Sequence, residues 1–309
     1  MGLSVSNLHI DTALTNVSVM YRNLELVAEE VLPEVPVAKQ TDKYYKYGQD
    51  NMRVDDDTFR PGGISNQIEW SLSTDPYYCD GHALHALIPD GWRENADAAI
   101  DLDTDMTVAL TDKILLNREV AVKAAVDAGA TEQSQALTPW DNDDIDPVKI
   151  VEAAKETIEL ATGVRPNRLL LPRPVFRAAR NNAQIKARIT GAPNLPASLV
   201  TAQQLAEVFE VDKVVVAGAV KGTSAEGQAF ASSYVWGKDA LLYCMPSSPG
   251  LRTVSFGYLF TWNVGRFSAL VSKGRMPDLQ HSDYIEASRF YDAKIVAAAA
   301  GVRFSGCVA

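Results

Sequence analysis

The sequence predicts an α+β fold, and three observations carry that reading. Two runs with the period of a strand flank a polar stretch between residues 43 and 72, and a long helical period follows them. Beyond a polar hinge, helices and strands alternate, and from Tyr234 onwards short strand signals dominate.

The first forty residues read as an arm. Tyr21 to Glu30 has short helical character, and Val31-Leu32-Pro33-Glu34-Val35-Pro36-Val37 is held extended by its prolines. Apolar residues on an extended arm, Val35 and Val37 among them, need a partner surface. Next comes a ribbon. In Lys43-Tyr44-Tyr45-Lys46-Tyr47 the side chains of Tyr45 and Tyr47 share one face, and in Gln67-Ile68-Glu69-Trp70-Ser71-Leu72 apolar Ile68, Trp70 and Leu72 alternate with polar neighbours. Asp55-Asp56-Asp57 and the breaker Pro61-Gly62-Gly63 make a long bent tip between the two runs. An isolated hairpin is marginal in water, so something must cover this one, and a second copy of the chain is a candidate.

After the turn at Pro89-Asp90-Gly91, Asn95 is expected to cap a helix running to about Ala128. Leu102, Met106, Leu110 and Ile114 are spaced by four along it, and Gly129 ends it. Such a spine would be about 50 Å long, against a radius of gyration of about 19 Å for a compact chain of this size, which implies a flattened or elongated molecule. Residues 130–146 form a polar hinge with Pro139, Trp140 and the aspartates at 141, 143, 144 and 146.

A second domain begins with Asp146 as cap and Pro147 in the first turn of a helix whose face carries Val151, Ala154, Ile158 and Ala161 and which ends at Gly163. A strand over Arg168 to Leu171, a helix near Val175 to Asn182, a helix from Ala202 to Phe209 capped by Thr201, and a strand over Lys213 to Val216 follow. The remaining strands are expected at Tyr234 to Trp236, Ala240 to Tyr243, Val254 to Phe260 and Phe267 to Val271, with two more between Tyr284 and Phe304 broken near Tyr291-Asp292-Ala293.

With 309 residues, 47% of them hydrophobic, the chain buries a large core as a soluble globular protein. No apolar run reaches the roughly 20 residues of a membrane helix, and the amino terminus has no signal-peptide pattern, so a cytoplasmic product without membrane contact is expected. Cys79, Cys244 and Cys307 are far apart and odd in number, which reads as free thiols. A net charge of -10 argues against affinity built on phosphate neutralisation. Acids crowd between Asp90 and Asp112, whereas seven bases and no acid lie between Gly163 and Ala206. These are either two solvated faces or opposite patches that meet between subunits. Arg173, Arg177 and Arg180 are the arginines expected to face a neighbour's carboxylates, since the segment lacks aromatic interleaving for stacking bases.

No sequence motif defines a catalytic centre, so no enzyme and no cofactor are expected. Cys79, His82 and His85 supply one thiolate and two imidazoles, short of the four ligands of structural zinc, and suit a strand-to-helix junction equally well. A cytoplasmic zinc-dependent hydrolase using these three is the distant alternative. Lys221 to Gly227 holds glycines, a lysine and hydroxyls out of phosphate-loop order, and the hinge aspartates lack the glycine and glutamate of a calcium loop.

Arm, aromatic ribbon, acidic spine helix, mixed domain and β-rich return resemble, in that order, the major capsid proteins of tailed bacteriophages with the HK97-like fold. The likeness rests on Val31 to Val37 followed by Tyr44-Tyr45-Lys46-Tyr47, on Thr162-Gly163-Val164-Arg165-Pro166-Asn167-Arg168-Leu169-Leu170-Leu171, and on Val254-Ser255-Phe256-Gly257-Tyr258. It implies an amino-terminal arm over 1–40, an extended β-hairpin loop over 41–80, a peripheral domain with the spine over 81–146 and 251–309, and an axial domain over 147–250.

The resemblance also implies self-assembly into hexamers and pentamers of an icosahedral virion shell, built in the host cytoplasm. Scaffolding, portal and decoration proteins would be partners, and packaged double-stranded DNA would be contacted non-specifically. In such a shell each extended loop lies over a neighbouring subunit. The chain begins directly with the arm, and Met1 speaks against cleavage, so a separate scaffolding protein is expected. Some relatives join a loop lysine to a neighbour's asparagine; Lys43 and Lys46 are the donors on offer, without an identifiable acid to promote the reaction. A nanocompartment shell of encapsulin type is the nearest alternative.

Overall fold

The computed structural model describes residues 23–58, 62–68, 72–96, 101–190, 200–250, 253–263, 270–276 and 281–308. In chain order the elements are α1 (Ala28–Val31), β1 (Glu34–Val37), β2 (Thr41–Tyr47), β3 (Leu72–Tyr78), β4 (Asp80–Pro89), α2 (Asp90–Glu94), α3 (Leu102–Gly129), β5 (Thr131–Ser134), α4 (Pro147–Thr162), β6 (Arg168–Pro172), α5 (Arg173–Asn181), α6 (Ala183–Thr190), α7 (Ala202–Val208), β7 (Lys213–Ala217), β8 (Val220–Gly222), β9 (Ser232–Tyr234), β10 (Ala240–Tyr243), β11 (Gly257–Trp262), β12 (Leu270–Arg275), β13 (Ser282–Ile295) and β14 (Gly301–Ser305).

Two five-stranded sheets organise these elements. The first has the order β1-β11-β13-β12, with β4 also paired to β13. The second has the order β5-β14-β10-β6-β7, and β2-β3 and β8-β9 are separate two-stranded ribbons. The spine helix α3 serves both sheets. Its first half buries Leu110 and Ile114 with Ile88, Ile285 and Ala287 of the first sheet, and its second half buries Val122 and Val126 in the main core beneath the second. At 1.5 Å per residue its 28 residues span about 42 Å.

Local chemistry sets several boundaries where the sequence puts them. Asp146 accepts from the Val148 amide at 3.1 Å, Pro147 opens α4, and Gly163 closes it in the left-handed region at φ 70. Thr201 and Gln204 form a reciprocal capping box at the start of α7.

Elsewhere the structure corrects the sequence. The spine begins at Leu102, not beside Asn95: Asp101 is the cap and accepts from the Asp103 and Thr104 amides, while Asn95 closes the short helix α2 by donating to the Gly91 carbonyl. Of the strand expected over Gln67–Leu72, Gln67 and Ile68 are irregular and residues 69–71 lie outside the described residues; the strand described opposite β2 is β3, with Tyr44 paired to Asp75 and Tyr47 to Leu72. The expected break at Tyr291-Asp292-Ala293 is absent, since β13 runs unbroken to Ile295; the chain turns at Ala298–Ala300 instead. Finally, β5 and β14 pair with the sheet of β6, β7 and β10, so the division at 146 and 251 cuts through one sheet.

Candidate inter-subunit surface

The ribbon has two faces with different fates. On one, Tyr44 stacks on Phe260 with ring centroids 5.6 Å apart, and Tyr77 stacks on the same ring at 4.8 Å. Cys79 is buried beside them, its thiol donating to the Phe260 carbonyl at 3.6 Å, and the half-buried Val35 and Val37 complete the cluster. Burial pushes the Tyr44 phenol up to about 12, with Asp75 adding to the shift. The ribbon therefore has a packing partner of its own at its base, contrary to the sequence expectation, and the arm supplies part of it. Here β1 runs parallel to β11, pairing Val35 with Phe260 and Val37 with Trp262.

The other face is open. Tyr45 is 60% exposed and Leu72 also projects to solvent. Along the tip, Ile68 is 69%, Val54 95% and Ile64 98% exposed. Trp70 and the side chain of Tyr47 lie outside the described residues. Val54 and Ile64 escaped the sequence reading because each stands alone among polar neighbours; their only signal was an apolar side chain inside a breaker-rich loop. Lys46 lies 3.5 Å from Asp75 across the strands, and the amide of Gln49 donates to the Ala161 carbonyl at the end of α4.

The charged tracts turn inward more than expected. Asp90 is gripped by Arg275, Asp103 by Arg93 and Lys273, and Asp283 by Arg93 and Arg275. In the basic tract Arg165 pairs with Glu210, Arg188 with Asp146, and Arg173 with Glu25 of the arm. Arg180 lies over the Phe176 ring at 5.5 Å, and Arg177 is exposed on α5. Steering between copies thus loses Asp90, Asp103, Arg165, Arg173 and Arg188 to ion pairs within the subunit, Arg173 to the arm of its own chain.

The Cys79, His82 and His85 arrangement cannot close on one metal. All three follow one extended stretch, and in a strand residues three apart point to opposite faces. His82 stacks on Tyr291 at 4.3 Å, and burial pushes the Cys79 thiol up to about 11. Among the described residues no group of three such side chains could hold a metal ion, and no described helix is long and apolar enough to cross a membrane.

No family model matches the chain. A major capsid protein of Burkholderia phage BcepMu is 25% identical over 248 residues, covering 78% of each chain. One from Pseudomonas phage JBD67 is 27% identical over 238 residues, covering 75% of each. Among solved structures, a phage-related protein from Bordetella bronchiseptica superposes with a TM-score of 0.69 at 26% identity, covering 93% of this chain and 94% of that one. The capsid of Cyanophage P-SCSP1u matches at 0.67 and 10% identity over 98% of this chain and 94% of its own, a likeness of fold.

The fold is that of phage capsid proteins, and the chain is similar in sequence to phage major capsid proteins. The likeness to two phage major capsid proteins favours that reading over a nanocompartment shell or a hydrolase.

Proposed function

We propose that this major capsid protein assembles into hexamers and pentamers that close an icosahedral shell around double-stranded DNA, after assembly in the host cytoplasm. The observation that carries the reading is the two-faced ribbon. Its base is fixed by Tyr44, Tyr77 and Phe260, and its other face and tip present Tyr45, Val54, Ile64 and Ile68 to solvent. Apolar groups on a protruding element are stabilised when a neighbouring copy covers them. Tyr45, Tyr47, Ile68 and Trp70 would make that contact, with Arg177 and Arg180 on a second face. Val35 and Val37 act through the ribbon base, and Arg173 through the arm.

Scaffolding, portal and decoration proteins belong to the same reading as partners. The arm and extended loop keep the limits 1–40 and 41–80, while the sheet topology favours grouping 131–146 and 301–309 with the axial residues 147–250. Electron microscopy of the purified protein, alone and with the products of neighbouring genes, tests the proposal. Closed shells or rings of five and six subunits are expected; a monomer that persists under every assembly condition would overturn it.

A further inference from the structure

Residues 23–37 cross from one sheet to the other, and that path is tied down at its start, middle and end. Between Asn23 and Val37 the chain carries Glu25, Glu29, Glu30 and Glu34 and no base. Each carboxylate meets a cation of the body: Glu25 meets Arg173, Glu29 and Glu34 both meet Arg118 of the spine at 2.5 Å, and Glu30 meets Lys213 of β7 at 2.5 Å. Asn23 exchanges two hydrogen bonds with the Val220 backbone, and the Tyr243 hydroxyl of β10 donates to the Glu30 carbonyl at 2.6 Å. At the far end the Leu259 amide of β11 donates to Pro33, and β1 joins the first sheet.

The hub is Glu119, a carboxylate buried in the middle of the spine. It accepts from the amides of Val27 and Ala28, which are unsatisfied donors at the start of α1, and from the indole of Trp236 at 2.6 Å. Two glycines make room for the crossing, one at each end. A Cβ at Gly218 would run into the Glu25 carboxylate, and one at Gly257 would meet Leu32 at 2.7 Å. Space has been left for the strap where it leaves the second sheet and where it enters the first.

We propose that residues 23–37 are a strap that fixes the placement of the two sheets relative to one another, with Glu119 as the residue that holds it down. The spine and the connections from β10 to β11 and from β13 to β14 also pass between the sheets, and Leu259 and Tyr291 of the first sheet reach into the main core; the strap adds a crossing that is held at both ends. The inference concerns the isolated subunit and stands or falls independently of shell assembly.

The test uses the full chain with spin labels on cysteines introduced at Gln133→Cys in β5 and Val271→Cys in β12, one exposed position on each sheet. Glu119→Gln keeps the shape but turns an N–H toward donors that need an acceptor. It should broaden the distance distribution between the labels, and hydrogen exchange at residues 24–32 should quicken about tenfold, the usual consequence of losing a helix cap. Amides of β6, β10 and β13 should keep their protection. A folded Glu119→Gln protein with unchanged label distances, or with unchanged exchange in the strap, would overturn the proposal. Should Glu119→Gln fail to fold, Gly218→Ala takes its place: it should displace Glu25 and quicken exchange at residues 23–26 selectively, and strap amides as slow as in the parent would overturn the proposal.

Discussion

Replacing Tyr45 with serine separates a ribbon that holds the subunit together from one that holds subunits to each other. Tyr45 is 60% exposed in the free chain. Of the roughly 200 Å² that a tyrosine side chain can bury, about 120 Å² therefore remains for a neighbour to cover. At ~25 cal/mol per Å² that contact is worth up to about 3 kcal/mol, or about a 150-fold change in its equilibrium constant. The part already covered, about 80 Å², limits the cost to folding to about 2 kcal/mol, less for a denatured chain that is itself partly compact. Light scattering against protein concentration should show assembly beginning at a much higher concentration, while the urea midpoint shifts modestly. If Tyr45→Ser destabilises the isolated subunit by more than about 3 kcal/mol and leaves the onset of assembly unchanged, the exposed face is not an interface and the reasoning fails.

Phe260→Ala should behave in the opposite way, since it deletes the ring on which Tyr44 and Tyr77 both stack; a loss of about 3–5 kcal/mol in urea unfolding and faster proteolysis within residues 41–78 are expected. Asp146→Ala removes the cap of α4 and should cost about 1 kcal/mol, seen as a melting temperature lower by about 2 °C. Arg275 holds the Asp90 carboxyl below its ordinary range, Lys273 and Arg93 do the same for Asp103, and Arg93 and Arg275 for Asp283. Their contribution is present above the unfolded carboxylate value near ~4 and is lost as pH falls through the lower folded values, so urea midpoints measured from pH 6 to pH 3 should drop at the acid end, and less so in Arg275→Gln. Glu119 runs the other way, because burial raises its folded value: what it contributes is present below the unfolded value and is lost as pH rises through the folded one, a slope that Glu119→Gln should remove from the same titration.

Local signals were readable in the sequence to the residue. Asp146, Pro147 and Gly163 mark α4 because a cap, a first-turn proline and a left-handed glycine each act over a few residues. The same short-range logic misplaced the start of the spine, because Asn95 and Asp101 are both polar residues suited to a helix end and only the packing of α2 decides between them. Alternation of Ile68, Trp70 and Leu72 pointed to a strand that takes in Ile68, which is irregular, and did not point to the pairing of β3 over Leu72–Tyr78. The register that wins is set by Tyr77 reaching Phe260, 183 residues away, which no local pattern reveals. Glu119 and Arg118 were invisible for a similar reason: adjacent opposite charges on a helix read as a solvated face until the arm and Trp236 arrive to bury them.

All three native thiols are buried, and burial pushes Cys79 and Cys244 up to about 11 and Cys307 up to about 12. Thiolate is the nucleophile, so at neutral pH each is both shielded and protonated. To an alkylating reagent the folded subunit therefore presents a blank exterior, and a cysteine placed at the ribbon tip would be the one position to take up a dye. The order in which such tips become covered could then be followed in real time, with the native sequence otherwise intact.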